Sequence, residues 1–159
     1  AQWIAAELDA SLVETTDLRP DQIERADEVI HGGALRVGGI LGLRRFLRHW
    51  PLLATKTVVL WHTGANPGHP DVVTEVWRSH LTDEQLQSTT RFYLRGGFDA
   101  HRLGWLDRIL MRGMVAHLRR KKILSEDERG LLAMYDHPHT ELDRVTIAPL
   151  VNHVKAPRG

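Results

Sequence analysis

The chain has no cysteine. That excludes disulfides, thiolate metal sites and cysteine nucleophiles, and it fits a reducing, cytoplasmic setting. No apolar run approaches the ~20 residues a membrane-spanning helix needs, and the N-terminal residues do not read as a signal peptide. Charge of one sign is not in excess. The 21 basic and 20 acidic residues leave a formal +1, which gives no electrostatic case for nucleic acid as a partner. GK[ST] and GxGxxG are both missing, so neither the P-loop nor the dinucleotide fingerprint is present. No Ser/His/Asp arrangement suggests a hydrolase. Repeats and low-complexity tracts are absent too. What remains is ordinary globular composition, 42% hydrophobic and 26% charged, at a length that suits one domain.

The informative stretch is Asp27 to Gly42, DEVIHGGALRVGGILG. Val29, Ile30 and His31 favour a strand. Gly32-Gly33 then break the run, and Gly38-Gly39 break it again. Beyond them Leu43, Phe46, Leu47 and Trp50 recur at helical spacing on one face. Strand, glycine-rich turn and helix make half of a parallel βαβ unit, whose turn lies at the ligand edge of an open sheet. Two readings of the glycines stand side by side. They let a flat or anionic ligand approach the backbone, or they merely turn the chain into a tightly packed helix.

Four strands are expected, at 11–16, 27–32, 56–62 and 89–95. Lys56 to His62 is nearly continuously apolar, as a strand buried on both faces requires. Helices are expected near Trp3–Leu8, after Gly39, over Val72–His80, after Thr82 with a capping box, over Leu103–Leu118, from Ser125 with a second box, and over Leu142–Lys155. Loops occupy Thr63–Pro70, Gly96–Asp99 and Asp136–Thr140. This alternation predicts a doubly wound parallel α/β sheet, with the glycine-bearing loops gathered at one edge. Residues 1–155 would form the single domain and 156–159 a tail.

Three stretches resemble flavodoxin-like FMN-binding proteins, most closely the branch that includes menaquinone-dependent protoporphyrinogen dehydrogenase. They are Gly32–Gly38 (GGALRVG), Val58–Gly64 (VVLWHTG) and Phe92–Met114 (FYLRGGFDAHRLGWLDRILMRGM). The resemblance implies strand order 2-1-3-4-5 and FMN as cofactor. It implies an isoalloxazine ring flanked by Gly33, Ala34, Leu35, Arg36, Val37 and Gly38 on one side. Thr63, Gly64, Ala65, Asn66 and Pro67 would lie on the other. Trp61 or Phe98 would have to supply the aromatic cover such proteins place on the ring. The family's phosphate loop, [ST]-x-[ST]-G-x-[ST], does not occur here. Ala1-Gln2-Trp3 reads as the inside of the helix that follows that loop, so the first strand and the loop are expected to be missing from an N-terminally truncated domain.

The resemblance leaves more than one function open. An FMN-dependent oxidoreductase, in this branch quinone-linked, is one. A flavodoxin-type electron carrier is another, although near-neutral charge suits a shuttle poorly. A domain that has lost its flavin is the third. On the Leu103–Leu118 helix, Leu103, Leu106, Leu110, Met114 and Leu118 form a stripe expected to pack on the sheet. Arg108, Arg112 and Arg119, followed by Arg120, Lys121 and Lys122, make it a basic amphipathic helix. Such a helix can rest peripherally on an anionic membrane, where a lipid quinone would be met, or simply present a solvated face. Of the ten histidines, only His137 and His139, near Asp136 and Glu141, cluster compactly. One intervening proline makes that a poor metal site.

Overall fold

A computed structural model describes residues 1–36, 39–64, 68–95, 105–124, 126–136 and 143–157. At its centre lie three parallel strands, β1 (Glu28–Arg36), β3 (Thr57–Gly64) and β4 (Thr89–Arg95). A two-residue strand, β2 (Gly39–Ile40), returns antiparallel along the end of β1, giving the order β2-β1-β3-β4. β1 and β3 run in register from Glu28–Thr57 to Ala34–Thr63, and β3 and β4 from Val58–Thr89 to Gly64–Arg95. The expected parallel arrangement of these three strands is what the molecule shows.

The sheet is covered on both faces, which is why β3 needs an unbroken apolar run. Val58, Val59, Leu60, Trp61 and His62 are all buried. On one face Val29, Val58 and Leu60 meet α2 (Pro20–Glu24), α3 (Leu43–Phe46), α4 (Trp50–Leu53), α5 (Pro70–Arg78) and α6 (Asp83–Ser88). Ile23, Phe46, Leu53 and Trp77 are the large side chains of that layer. On the other face Ile30, Val59, Phe92 and Leu94 meet Ile4 of α1 (Gln2–Leu8) and Leu150 and Val151 of α9 (Ala148–Lys155). α7 (Trp105–Arg120) and α8 (Glu126–Asp136) form a separate pair. Arg119 meets Asp136 at 2.6 Å and Lys121 meets Glu128 at 2.7 Å between them.

Local signals account for several element starts. Thr82 and Gln85 satisfy each other's backbone N–H groups in the expected capping box, at 3.3 and 3.0 Å. Before α9, the Asp143 carboxylate accepts from the Val145 N–H at 2.9 Å and opens a 3-10 turn, Arg144–Ile147. The Leu142–Lys155 helix is therefore a turn followed by a shorter helix. Ser125 and the Gly96–Asp99 turn lie outside the described residues.

Three expectations are corrected. The 11–16 segment is not a strand. Leu12 and Val13 are exposed, so no buried face repays the entropy of holding the chain extended. The strand at 27–32 does not stop at its glycines but continues to Arg36, because β3 keeps pairing with it as far as Ala34. The stripe on α7 does not cover the sheet. Val115 and Leu118 are buried, whereas Leu110 is 56% exposed and Met114 38%. Leu118, the last residue of the expected stripe, is thus covered together with Val115, while Leu110 and Met114 are not; Leu103 and the side chain of Leu106 lie outside those described. No helix among the described residues is long and apolar enough to cross a membrane.

Candidate functional site

Parallel pairing brings the ends of β1, β3 and β4 to one edge. There Gly33 stands beside His62, Ala34 beside Thr63, Thr63 beside Leu94 and Gly64 beside Arg95. Gly33, Ala34, Thr63 and Gly64, four of the expected ring contacts, are therefore neighbours. Leu35 and Arg36 enter a hairpin in which they pair with Ile40 and Gly39. Gly39 has φ 108°, a conformation that suits glycine, and the His80 ring lies where a side chain would project. Val37, Gly38, Ala65, Asn66 and Pro67 lie outside the described residues.

This arrangement assigns the double glycine a packing role. A Cβ on Gly32 would sit 1.7 Å from Cε2 of Trp61, and one on Gly33 would sit 2.2 Å from the Leu41 carbonyl oxygen. The Trp61 ring thus lies over Gly32 within the core, so it is not the aromatic cover at the edge. Phe98 lies outside the described residues. The Ala34 carbonyl accepts from the Leu41 N–H at 3.0 Å. Tyr93 donates its hydroxyl hydrogen to the Gly64 carbonyl at 2.8 Å, tying β4 to the end of β3.

The flavodoxin domain family matches residues 1–123, more than half of the chain. The chain belongs to that family. No curated protein and no solved structure gives a match. For a flavodoxin domain, the edge just described is the position where a ligand is expected in an open α/β sheet. A flavin ring fits the described residues in part. Gly33, Ala34, Thr63 and Gly64 lie together at that edge, but Gly33 is buried against the Leu41 carbonyl and the backbone of Ala34–Arg36 is already engaged with β2 and the residue after it. Contacts with the ring edges would fall to Val37–Gly38 and Ala65–Pro67.

Two histidines that the sequence placed in strands, without assigning them a role, are structural parts of this flavodoxin domain. His31 is 6% exposed and stacks on Phe46, with ring centroids 4.7 Å apart. Burial pushes its pKa down to about 4, against a hydrogen bond with the Leu41 backbone, and Nε2 has no partner. His62 lies between Trp77 and Tyr93, at 4.9 and 5.2 Å. Among the described residues neither of its ring nitrogens has a hydrogen-bond partner of good geometry, and only the Thr63 backbone works against the effect of burial. Burial, helped by nearby His80, lowers its pKa. The available signal was position, since each histidine sits in an apolar strand on the period-2 face shared by Val29 and by Val58 and Leu60.

The His137–His139 cluster lies outside the described residues. Among the described ones, no group of three or more His, Asp or Glu is placed to hold a metal. Arg112, Arg119, Arg120, Lys121 and Lys122 are exposed, with Arg119 and Lys121 ion-paired to α8. The side chain of Arg108 is not among those described.

Proposed function

We propose that this flavodoxin domain is the flavin-binding part of an FMN-dependent oxidoreductase, of the quinone-linked protoporphyrinogen dehydrogenase type. The observation that carries the reading is the juxtaposition of Gly33–Ala34 with Thr63–Gly64 at the ligand edge of a flavodoxin sheet. Electron or hydride transfer is chemistry the flavin would supply when bound. The chain's own part would be to bind, orient and shield. Gly33, Ala34, Thr63 and Gly64 would floor the ring, with Val37–Gly38 and Ala65–Pro67 closing on its edges. Arg36, exposed at the strand end, would hold positive charge near an anionic flavin.

Fluorescence titration with FMN and with riboflavin tests this reading. Ring contacts without a hydroxyl-rich phosphate loop should give weak binding, with the two ligands within about tenfold of each other. An FMN preference of several orders of magnitude would place phosphate donors elsewhere in the chain. No binding of either would favour the flavin-free alternative, which the engagement of Ala34–Arg36 with the hairpin supports. Quinone reduction without a protein partner would separate the dehydrogenase from an electron carrier.

A quinone-linked enzyme must meet a lipid-soluble substrate, and α7 offers the means. Ile109 is 60% exposed and Leu110 56%, near the exposed Arg112, with the exposed cations Arg120 and Lys122 further along the chain. Apolar side chains flanked by cations suit the interface of an anionic membrane. Co-sedimentation should therefore be stronger with phosphatidylglycerol vesicles than with phosphatidylcholine vesicles. Leu110→Glu should weaken it about tenfold or more, and an unchanged affinity would remove the membrane contact from the proposal.

A further inference from the structure

Away from the ligand edge, α5, α6 and β4 border an open hollow of about 370 Å³. It is lined by Val73, Thr74, Trp77, Arg78, Leu86 and Arg91. Arg91 is the third residue of β4, two positions before Tyr93, so the hollow lies toward the amino end of the strand. Its Nη1 donates to the carbonyls of Leu86 and Thr89 and to the Thr89 hydroxyl, which fixes the guanidinium at the end of α6. Among the described residues, its Nε and Nη2 have no hydrogen-bond acceptor. Among the described residues, no carboxylate pairs with Arg91 or with Arg78.

Two guanidiniums that line one hollow, with no carboxylate among the described residues to pair them, suit an anion between them. Here both have open donors, and Arg91 is half-buried and already held in place, so little entropy is lost when it engages a ligand. Apart from Thr74, the remaining wall is apolar, from Val73, Leu86 and Trp77. Among the described residues, the buried Nε1 of Trp77, one of the residues lining the hollow, has no partner either.

We propose that this hollow binds an amphiphilic anion, a carboxylate or phosphate ester held by Arg78 and Arg91 with its apolar part against Val73, Leu86 and Trp77. The volume admits a small ligand of that kind. The site is separate from the flavin edge and does not depend on flavin being bound.

The test uses hexanoate and hexyl phosphate as probes and hexanol as the neutral control, followed in proton–nitrogen spectra of the whole chain. Both anions should shift the Trp77 indole and Arg91 guanidinium signals at millimolar concentration, whereas hexanol should not. Arg78→Gln should weaken both anions about tenfold or more. That side chain is exposed and bonds to nothing else described, so the variant should fold. Arg91→Lys keeps the charge but loses the planar fork, and should also weaken binding. Preference for hexyl phosphate would identify phosphate esters as the ligand class, and preference for hexanoate would identify carboxylates. Absence of shifts, equal binding of hexanol, or an unchanged affinity in Arg78→Gln would overturn the site. FMN titration of Arg78→Gln should match the wild type, so failure of one proposal is distinguishable from failure of the other.

Discussion

Gly32→Ala should cost about 3 kcal/mol or more, as overpacking in a buried sheet does. The added methyl would occupy the position of the Trp61 ring, 1.7 Å from Cε2 and 2.2 Å from Nε1. That ring cannot swing into solvent at low cost, since Trp61 is 9% exposed and packs in the layer with Ile4, Leu94 and Leu150. β1 cannot move away either, because its ladder to β3 runs through this pair. Trp61→Val alone should also destabilise, by roughly 2–4 kcal/mol, through the cavity it leaves. The double variant should be no worse than Trp61→Val alone, because the methyl would then fill part of that cavity. Urea unfolding of the four proteins gives the coupling directly, expected at about 2–3 kcal/mol. Additive costs would mean that Gly32 is needed for a reason other than the ring.

That same pair shows where sequence reasoning stopped. The doubly wound α/β class was legible because period and burial agreed. Val58–Val59–Leu60–Trp61 could serve only as a strand covered on both faces, and Leu43 and Phe46 are buried as their helical spacing required. The glycines misled because they are strand breakers by local propensity. Here tertiary context prevailed: β3 continued the ladder, and a ring from the neighbouring strand filled the space the missing side chain left. At 11–16 the error ran the other way. Val13, Thr15 and Thr16 gave a strand propensity, but nothing covers Leu12 or Val13.

The candidate site was legible only as positions along the chain. Gly33–Ala34 and Thr63–Gly64 lie at the one edge where the glycine-bearing loops were expected to gather, since parallel register brings equivalent strand ends together; their selection as ring contacts came from the resemblance. Their hydrogen bonds were not foreseeable, because they depend on the β2 hairpin, which lacked a sequence signal beyond Gly38-Gly39. On α7 the spacing was helical, but spacing alone does not select which of two apolar arcs is buried. The α8 ion pairs and buried Val115 and Leu118 show that the covered arc keeps only the carboxyl-terminal end of the expected stripe. The Arg78–Arg91 hollow was invisible for a similar reason. Its two cations come from a helix and a strand that only the folded chain brings together.

Acid should destabilise this domain well before its carboxylates titrate, and His31 is the main cause. Above the unfolded-state pKa of 6.5 the imidazole is neutral in both states and full stability is present. As pH falls below that value the unfolded chain takes up a proton. The folded chain resists, because Phe46 covers the ring and the site offers no acid to stabilise a charge, until pH reaches about 4. The unfolded state therefore binds more protons throughout this window, and stability must fall as pH falls. At about 1.4 kcal/mol per pH unit, the loss across the window is roughly 3 kcal/mol, and below about pH 4 His31 adds nothing more. His62 is shifted in the same direction and steepens the decline. His31→Phe keeps the stack on Phe46 but cannot take a proton. Urea unfolding at several pH values between 7 and 4 should thus show the variant losing markedly less stability than the wild type. Equal losses would mean that the folded protein accepts a proton at His31 without penalty, and that the ring is not buried as its packing on Phe46 indicates.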